Sequence, residues 1–343
     1  MSLHLAFLTV GDPNRLTGGY LYHREVFRRW RAQGHRIDEI VLGPADVAGQ
    51  LAAALLAGER FTVERYDALL VDALARAVVA PWLEHWRAQR PLIALIHELP
   101  AVAGASDPRE RDWEQALLRA DALVAVSDDG AATLIVRGAD PARVFVASGG
   151  CDRLLACLPE GIPREPLVIA VGQWIPRKNQ ARLAWAWGQA AAQGWRLELI
   201  GETEADPAYA AEVWQAVRAC PAPVIVRGPL NDAELAHLYA RASVFALPSR
   251  FEGYGLVFAE ALACGLPVIA GAVGPVPALV GGGGLLVPPD DEQALAVALR
   301  AITTDPTLRA RLSIAAQRRA ATLPRWDDTA QRLLQAVQWA CGR

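Results

Sequence analysis

Residues 248–270 read PSRFEGYGLVFAEALACGLPVIA, and this stretch decides the fold. The short apolar run 244–247 before it predicts a strand, and a second predicted strand begins at Pro267. Between them, Gly253 and Gly255 mark a strand-to-helix turn where the backbone can approach a ligand closely. The apolar, alanine-rich residues after Gly255 predict a helix. Its first N–H groups and the positive end of its dipole face that turn, a cradle suited to a diphosphate. Strand, glycine turn, helix and strand together form the repeating unit of a parallel sheet.

Working outward, the same alternation covers the chain. A first set of strands is expected at 3–10, 36–42, 68–72, 92–97, 122–126 and 144–147. A second is expected at 167–171, 197–200, 224–227, 244–247, 267–270 and 285–287. The segment 159–166 packs three prolines and a glycine into eight residues and is read as the interdomain linker. The fold class is therefore α/β with two doubly wound halves, at 1–160 and 161–324. Ligands bind such sheets at the carboxyl ends of the strands, which two facing halves would place on either side of one cleft. Neither half carries G-x-G-x-x-G or G-x-x-x-x-G-K-[ST], so nicotinamide dehydrogenases and P-loop NTPases lose their main support.

A chain of 343 residues with 53% hydrophobic content can bury a large core, which excludes a disordered protein. Its 34 basic and 37 acidic residues give a net charge of -3, so no global cationic field points to nucleic acid. Five cysteines without C-x-x-C spacing disfavour a disulfide framework and a zinc site. The start lacks a basic leader and no apolar run reaches spanning length, so a cytoplasmic protein is expected.

Glu252 lies in the glycine turn and Glu260 follows eight residues later, a spacing of about two helical turns that lets both face one cleft. For an arbitrary pair, a helix-capping Glu252 and a solvated Glu260 would be the plainer reading. The flanking residues argue otherwise. The segment resembles the E-x7-E signature of the retaining glycosyltransferases of family 4, whose usual form is close to P-S-x-x-E-G-[FY]-G-L-x-x-x-E-A-x-A-x-G-x-P-V.

That resemblance implies the GT-B fold, two Rossmann-like domains facing across a cleft, and transfer from a nucleoside diphosphate sugar with no cofactor or divalent metal. It implies that Glu252 contacts the donor sugar, that Glu260 holds the nucleotide ribose, and that backbone amides around Gly253, Tyr254, Gly255, Leu256 and Val257 serve the phosphates. Gly18-Gly19 would form a glycine loop near the donor phosphates and the acceptor, an ordinary flexible turn being the alternative. His97, in Ile96-His97-Glu98-Leu99-Pro100, would stand beside the transferring sugar. A zincin is excluded because H-E-x-x-H needs His at the position of Ala101, while a purely structural His97 stays open.

Val126-Ser127-Asp128 and 148–152 resemble architectural segments that close the family's first domain. Gly172–Asn179 resembles its G-R-x4-K-[GN] loop, whose two cations neutralise the leaving diphosphate. Lys178 aligns, but Gln173 stands where Arg is usual, with Arg177 and Arg250 as nearby replacements. Gly228-Pro229-Leu230 matches the loop against which the base packs. The run Gly281–Gly284 reads as a turn rather than a phosphate loop, and Ala278 replaces the family's usual Glu. Trp326-Asp327 resembles the start of the final helix, so 325–343 is expected to cross back to the first domain.

The acceptor is not legible, a lipid-linked or cell-envelope glycan being among the candidates. Peripheral membrane contact is suggested by Arg24, Arg28, Arg29, Arg31 and Arg36 around Val26, Phe27 and Trp30, which would place the protein at the inner face of the membrane. A solvated face beside an ordinary core stripe is the alternative. Rival functions are a GT-B epimerase or phosphorylase and, given Gln173 and Ala278, a degenerate binding or scaffold protein.

Overall fold

A computed structural model describes residues 2–104, 107–190 and 192–342, the side chains of 58–60 excepted. The chain forms two compact units. One comprises Met1–Gly149 with Trp326–Arg343, and the other Gly150–Arg325.

The first unit holds a parallel six-stranded sheet of β1 (His4–Thr9), β2 (Arg36–Val41), β3 (Ala68–Asp72), β4 (Leu92–Ile96), β5 (Ala122–Ala125) and β6 (Val144–Val146), in the order β2-β1-β3-β4-β5-β6. β3 and β4 are buried along their whole length, as central strands covered on both faces must be, whereas the edge strand β2 keeps exposed positions. Between β5 and β6, Ser127 accepts the Gly130 amide at 3.0 Å and caps the helix Asp128–Val136.

The helix Gly18–Ala32 buries Tyr20, Tyr22, His23, Glu25, Val26, Phe27 and Trp30. Trp30 donates its indole N–H to the Ala330 carbonyl at 2.9 Å, tying this helix to the C-terminal helix Trp326–Cys341. Trp326 is fully buried, with Tyr22 edge-on to it at 5.6 Å.

This arrangement removes the apolar part of the basis for the membrane reading. Val26, Phe27 and Trp30 have no exposed surface, and Arg28 and Arg29 pair with Glu25, Arg31 with Glu39 and Arg36 with Asp38. The apolar stripe faces the core, and these arginines serve the protein's own carboxylates. No helix among the described residues is long and apolar enough to cross a membrane.

The second unit holds β7 (Leu167–Val171), β8 (Arg196–Ile200), β9 (Val224–Arg227), β10 (Val244–Leu247), β11 (Val268–Gly271) and β12 (Gly284–Val287), again parallel, in the order β12-β11-β10-β7-β8-β9. All twelve expected strands are present, with ends displaced by no more than one residue. The proline-rich segment 159–166 lies within this unit, where Arg164 donates to the carbonyls of Tyr239, Ala242 and Cys264. Gly281 and its neighbours form the turn that enters β12.

The helix Leu256–Ala263 starts from Gly255, whose φ of 97° lies in the left-handed region. A Cβ there would stand 2.7 Å from a Phe258 ring carbon and 3.2 Å from a Leu279 methyl. Gly255→Ala is therefore expected to destabilise the protein by roughly 1–3 kcal/mol, through overpacking and a conformation that L-residues avoid. Denaturant unfolding measures this, and an unchanged midpoint would count against it.

Candidate functional site

Each unit gathers functional side chains at the carboxyl ends of its strands. In the second unit β7 and β10 are neighbours, so the loops leaving them run side by side. Arg250 donates its backbone N–H to the Arg177 carbonyl at 2.7 Å. Buried Asn179, in the left-handed conformation at φ 61°, donates its amide to the carbonyls of Pro248 and Pro289.

These stitches carry Lys178 to Glu252. The ammonium donates to both carboxylate oxygens, at 2.8 and 3.0 Å, and the Ser249 hydroxyl donates to one of them at 2.7 Å. Burial alone would push the Glu252 carboxyl up. The charges of Lys178 and then Arg177 outweigh it and hold the group below its ordinary range. A buried carboxylate, a lysine and a hydroxyl thus form one ionised cluster at the mouth of the strands.

Glu252 lies four residues ahead of the first helical residue, so the two glutamates do not share one helix face. Glu260, inside the helix and 1% exposed, accepts instead from Arg153 Nε at 2.7 Å. Neither a capping Glu252 nor a solvated Glu260 describes the pair. Arg153, which also pairs with Asp232, escaped the sequence reading because its neighbours 148–152 looked architectural.

The replacement cations divide. Gln173 donates its amide to Glu202 at 2.7 Å, and Arg250, 40% exposed, pairs with Asp290. Arg177 alone of these bears on the charge of Glu252. Gly253, Tyr254, Leu256 and Val257 are half-buried around the helix start. Gly228 and Pro229 are exposed after β9, with Leu230 packed on the core.

In the first unit, Gly18 and Gly19 form the opening turn of the helix Gly18–Ala32, where the loop that leaves β1 ends. A Cβ on Gly19 would meet the His97 ring at 3.5 Å. His97 follows β4, Asp72 ends β3 and Thr9 ends β1, so adjacent strands bring them together. The His97 and His23 Nε2 atoms lie 2.8 Å apart, and the His23 ring packs against Phe7 in a tilted contact at 4.4 Å, with Phe27 parallel to it at 6.0 Å. Asp72, fully buried, accepts from the Thr9 hydroxyl at 2.9 Å and the Leu74 amide at 3.0 Å. Burial lowers His97 to about 4 and lifts Asp72 to about 6, while burial and then His97 hold His23 well below its ordinary value.

Among the described residues, His23, Asp72 and His97 are the set whose ligand-type atoms cluster within 4.8 Å. Two nitrogens bound about 2.05 Å from one tetrahedral ion stand roughly 3.3 Å apart. The 2.8 Å contact between the imidazoles is instead that of a hydrogen bond.

Residues 165–305 match the model of a family described as glycosyl transferases group 1. The chain is 31% identical to the D-inositol 3-phosphate glycosyltransferase of Kineococcus radiotolerans, over 90% of its own length and 82% of that relative's. The structure superposes on sucrose-phosphate synthase from Thermosynechococcus elongatus with a TM-score of 0.81 at 24% identity, covering 98% of both chains. It matches Anabaena HepE, solved in complex with UDP and glucose, with a TM-score of 0.80 at 22% identity, over 98% of this chain and 99% of that one. At those identities the two structures bear on the fold, which is GT-B.

Proposed function

Since the chain belongs to the group 1 glycosyltransferases, we propose that it moves a sugar from a nucleoside diphosphate donor to a hydroxyl acceptor, retaining the anomeric configuration and needing no divalent metal. The observation that carries this reading is the Lys178–Glu252–Ser249 cluster beside the glycine turn. Such a cluster offers a fixed cation for the leaving diphosphate and a fixed carboxylate for sugar hydroxyls.

Lys178 and the amides of 253–257 are assigned to the diphosphate, Glu252 and His97 to the sugar, and Glu260 to the ribose. Gly228, Pro229 and Leu230 are assigned to the base. Retention needs no protein nucleophile where the leaving phosphate takes the acceptor's proton on the face it departs from. The protein's share is then orientation and electrostatic stabilisation.

HepE was solved with UDP-glucose as well as with UDP and glucose, so UDP-sugars are the first donors to try. Several relatives are named for D-inositol 3-phosphate, which makes a phosphorylated polyol the first acceptor to try. Membrane contact forms no part of the proposal, because the stripe that suggested it faces the core.

Purified protein incubated with a panel of nucleoside diphosphate sugars, with and without acceptor, is expected to release nucleoside diphosphate and form a glycoside with the donor's anomeric configuration. Nucleotide binding without turnover of any donor would favour a degenerate binding protein. Saturating EDTA is expected to leave turnover unchanged, because Lys178 and backbone amides carry the phosphate charge. A complete loss reversed by magnesium would overturn metal independence.

A further inference from the structure

We propose that His23 is a positioning residue which, held by Asp72, fixes His97 in the tautomer that carries hydrogen on Nε2 and leaves Nδ1 as a bare acceptor. The catalytic consequence rests on the assignment of His97 to the sugar. The tautomer itself does not.

The two imidazoles meet Nε2 to Nε2 at 2.8 Å. Burial keeps both uncharged at neutral pH, so their hydrogen bond holds a single proton and its direction is set elsewhere. The other nitrogen of His23, Nδ1, is buried without a hydrogen bond and lies 3.9 Å from Asp72 Oδ2.

Asp72 is ionised for the most part at neutral pH and only accepts, already taking the Thr9 hydroxyl and the Leu74 amide. At 3.9 Å the carboxylate acts on His23 as a charge rather than as a hydrogen-bond partner. In a fully buried setting that charge favours a proton on the nitrogen facing it, since the alternative sets a lone pair against an anion.

With hydrogen on His23 Nδ1, its Nε2 must accept. His97 Nε2 then donates, and His97 Nδ1 is left to accept from a hydroxyl. Contacts with Phe7 and Phe27 on one side restrict rotation of the His23 ring.

Asp72→Asn should reverse the direction. The Leu74 amide can only donate to Oδ1, whereas the Thr9 hydroxyl on Oδ2 can turn to accept, so the variant's oxygen belongs at Oδ1 and its NH2 takes the place of Oδ2, facing His23 Nδ1. His23 Nδ1 would then accept, His23 Nε2 donate, and His97 carry its hydrogen on Nδ1. The test is long-range 1H–15N correlation on the full chain labelled at histidine, near neutral pH, for wild type and Asp72→Asn.

The expected result is His23 protonated at Nδ1 and His97 at Nε2 in the wild type, with both exchanged in the variant. Wild-type His97 protonated at Nδ1 overturns the proposal whether or not the variant folds. Stoichiometric zinc binding that removes both N–H signals also overturns it, since the set would then be a metal site.

Transfer by Asp72→Asn should fall on the order of 10–100-fold, the size seen when an outer partner that fixes an imidazole is removed. Affinity for UDP should be unchanged. Exchanged tautomers with undiminished transfer would uphold the relay and reject His97 as the sugar contact, so the two readings fail separately.

Discussion

Lys178→Ala is expected to lower sugar transfer by roughly two to three powers of ten, the scale of removing one preorganised charge-stabilising donor. The leaving diphosphate gains charge as the glycosidic bond breaks. The strongest fixed cation of the cluster is this ammonium, set by the Asn179 anchor and by both oxygens of Glu252. Gln173 cannot substitute, since it is neutral and engaged with Glu202, and Arg250 is directed to Asp290. The variant also leaves Glu252 buried without its main partner, a loss on the order of 3–5 kcal/mol of stability when one member of a buried pair is removed. Turnover must therefore be read per folded molecule, below the variant's own melting transition. Wild-type turnover on that basis would remove Lys178 from the phosphate site.

The central strands were legible because parallel strands covered on both faces read as short apolar runs, as β4, β10 and β11 do. Strand order was not legible. Lys178 and Glu252 were each identifiable, but their pairing across 74 residues depends on β10 lying beside β7. The same holds for His97, His23 and Asp72, which the order β1-β3-β4 and the first helix bring together.

Two further readings change for physical reasons. The helix Gly18–Ala32 shows arginines around apolar residues, a pattern common to membrane-surface helices and to helices whose cations pair with their own fold. Here Val26, Phe27 and Trp30 are buried in the core, and Arg28, Arg29 and Arg31 pair with Glu25 and Glu39. The spacing of Glu252 and Glu260 suggests one helix face only if the helix covers both, and the left-handed Gly255 starts it after the first. What the spacing leaves standing is a division of labour, with Glu252 on Lys178 and Glu260 on Arg153.

That division makes the two glutamates fail in opposite ways. Glu252→Gln keeps the shape of the side chain and removes the charge that Lys178 and Ser249 bind. Transfer should fall by at least about a hundredfold if the sugar loses a charge-assisted acceptor that strengthens in the transition state. UDP affinity should hold or rise, because Lys178 is released from its carboxylate and stays available to phosphate. Glu260→Gln leaves Arg153 paired with Asp232 and the helix intact, but removes the charged acceptor assigned to the ribose. It should weaken UDP binding by about 1.5–3 kcal/mol, roughly 10- to 150-fold in Kd, with transfer at saturating donor much less affected. Calorimetric titration of UDP into each variant, beside turnover assays, separates the two. A loss confined to Glu252→Gln would mean that the carboxylate held by Arg153 faces the sugar and the one held by Lys178 faces the ribose, and equal losses would reject the division of roles altogether.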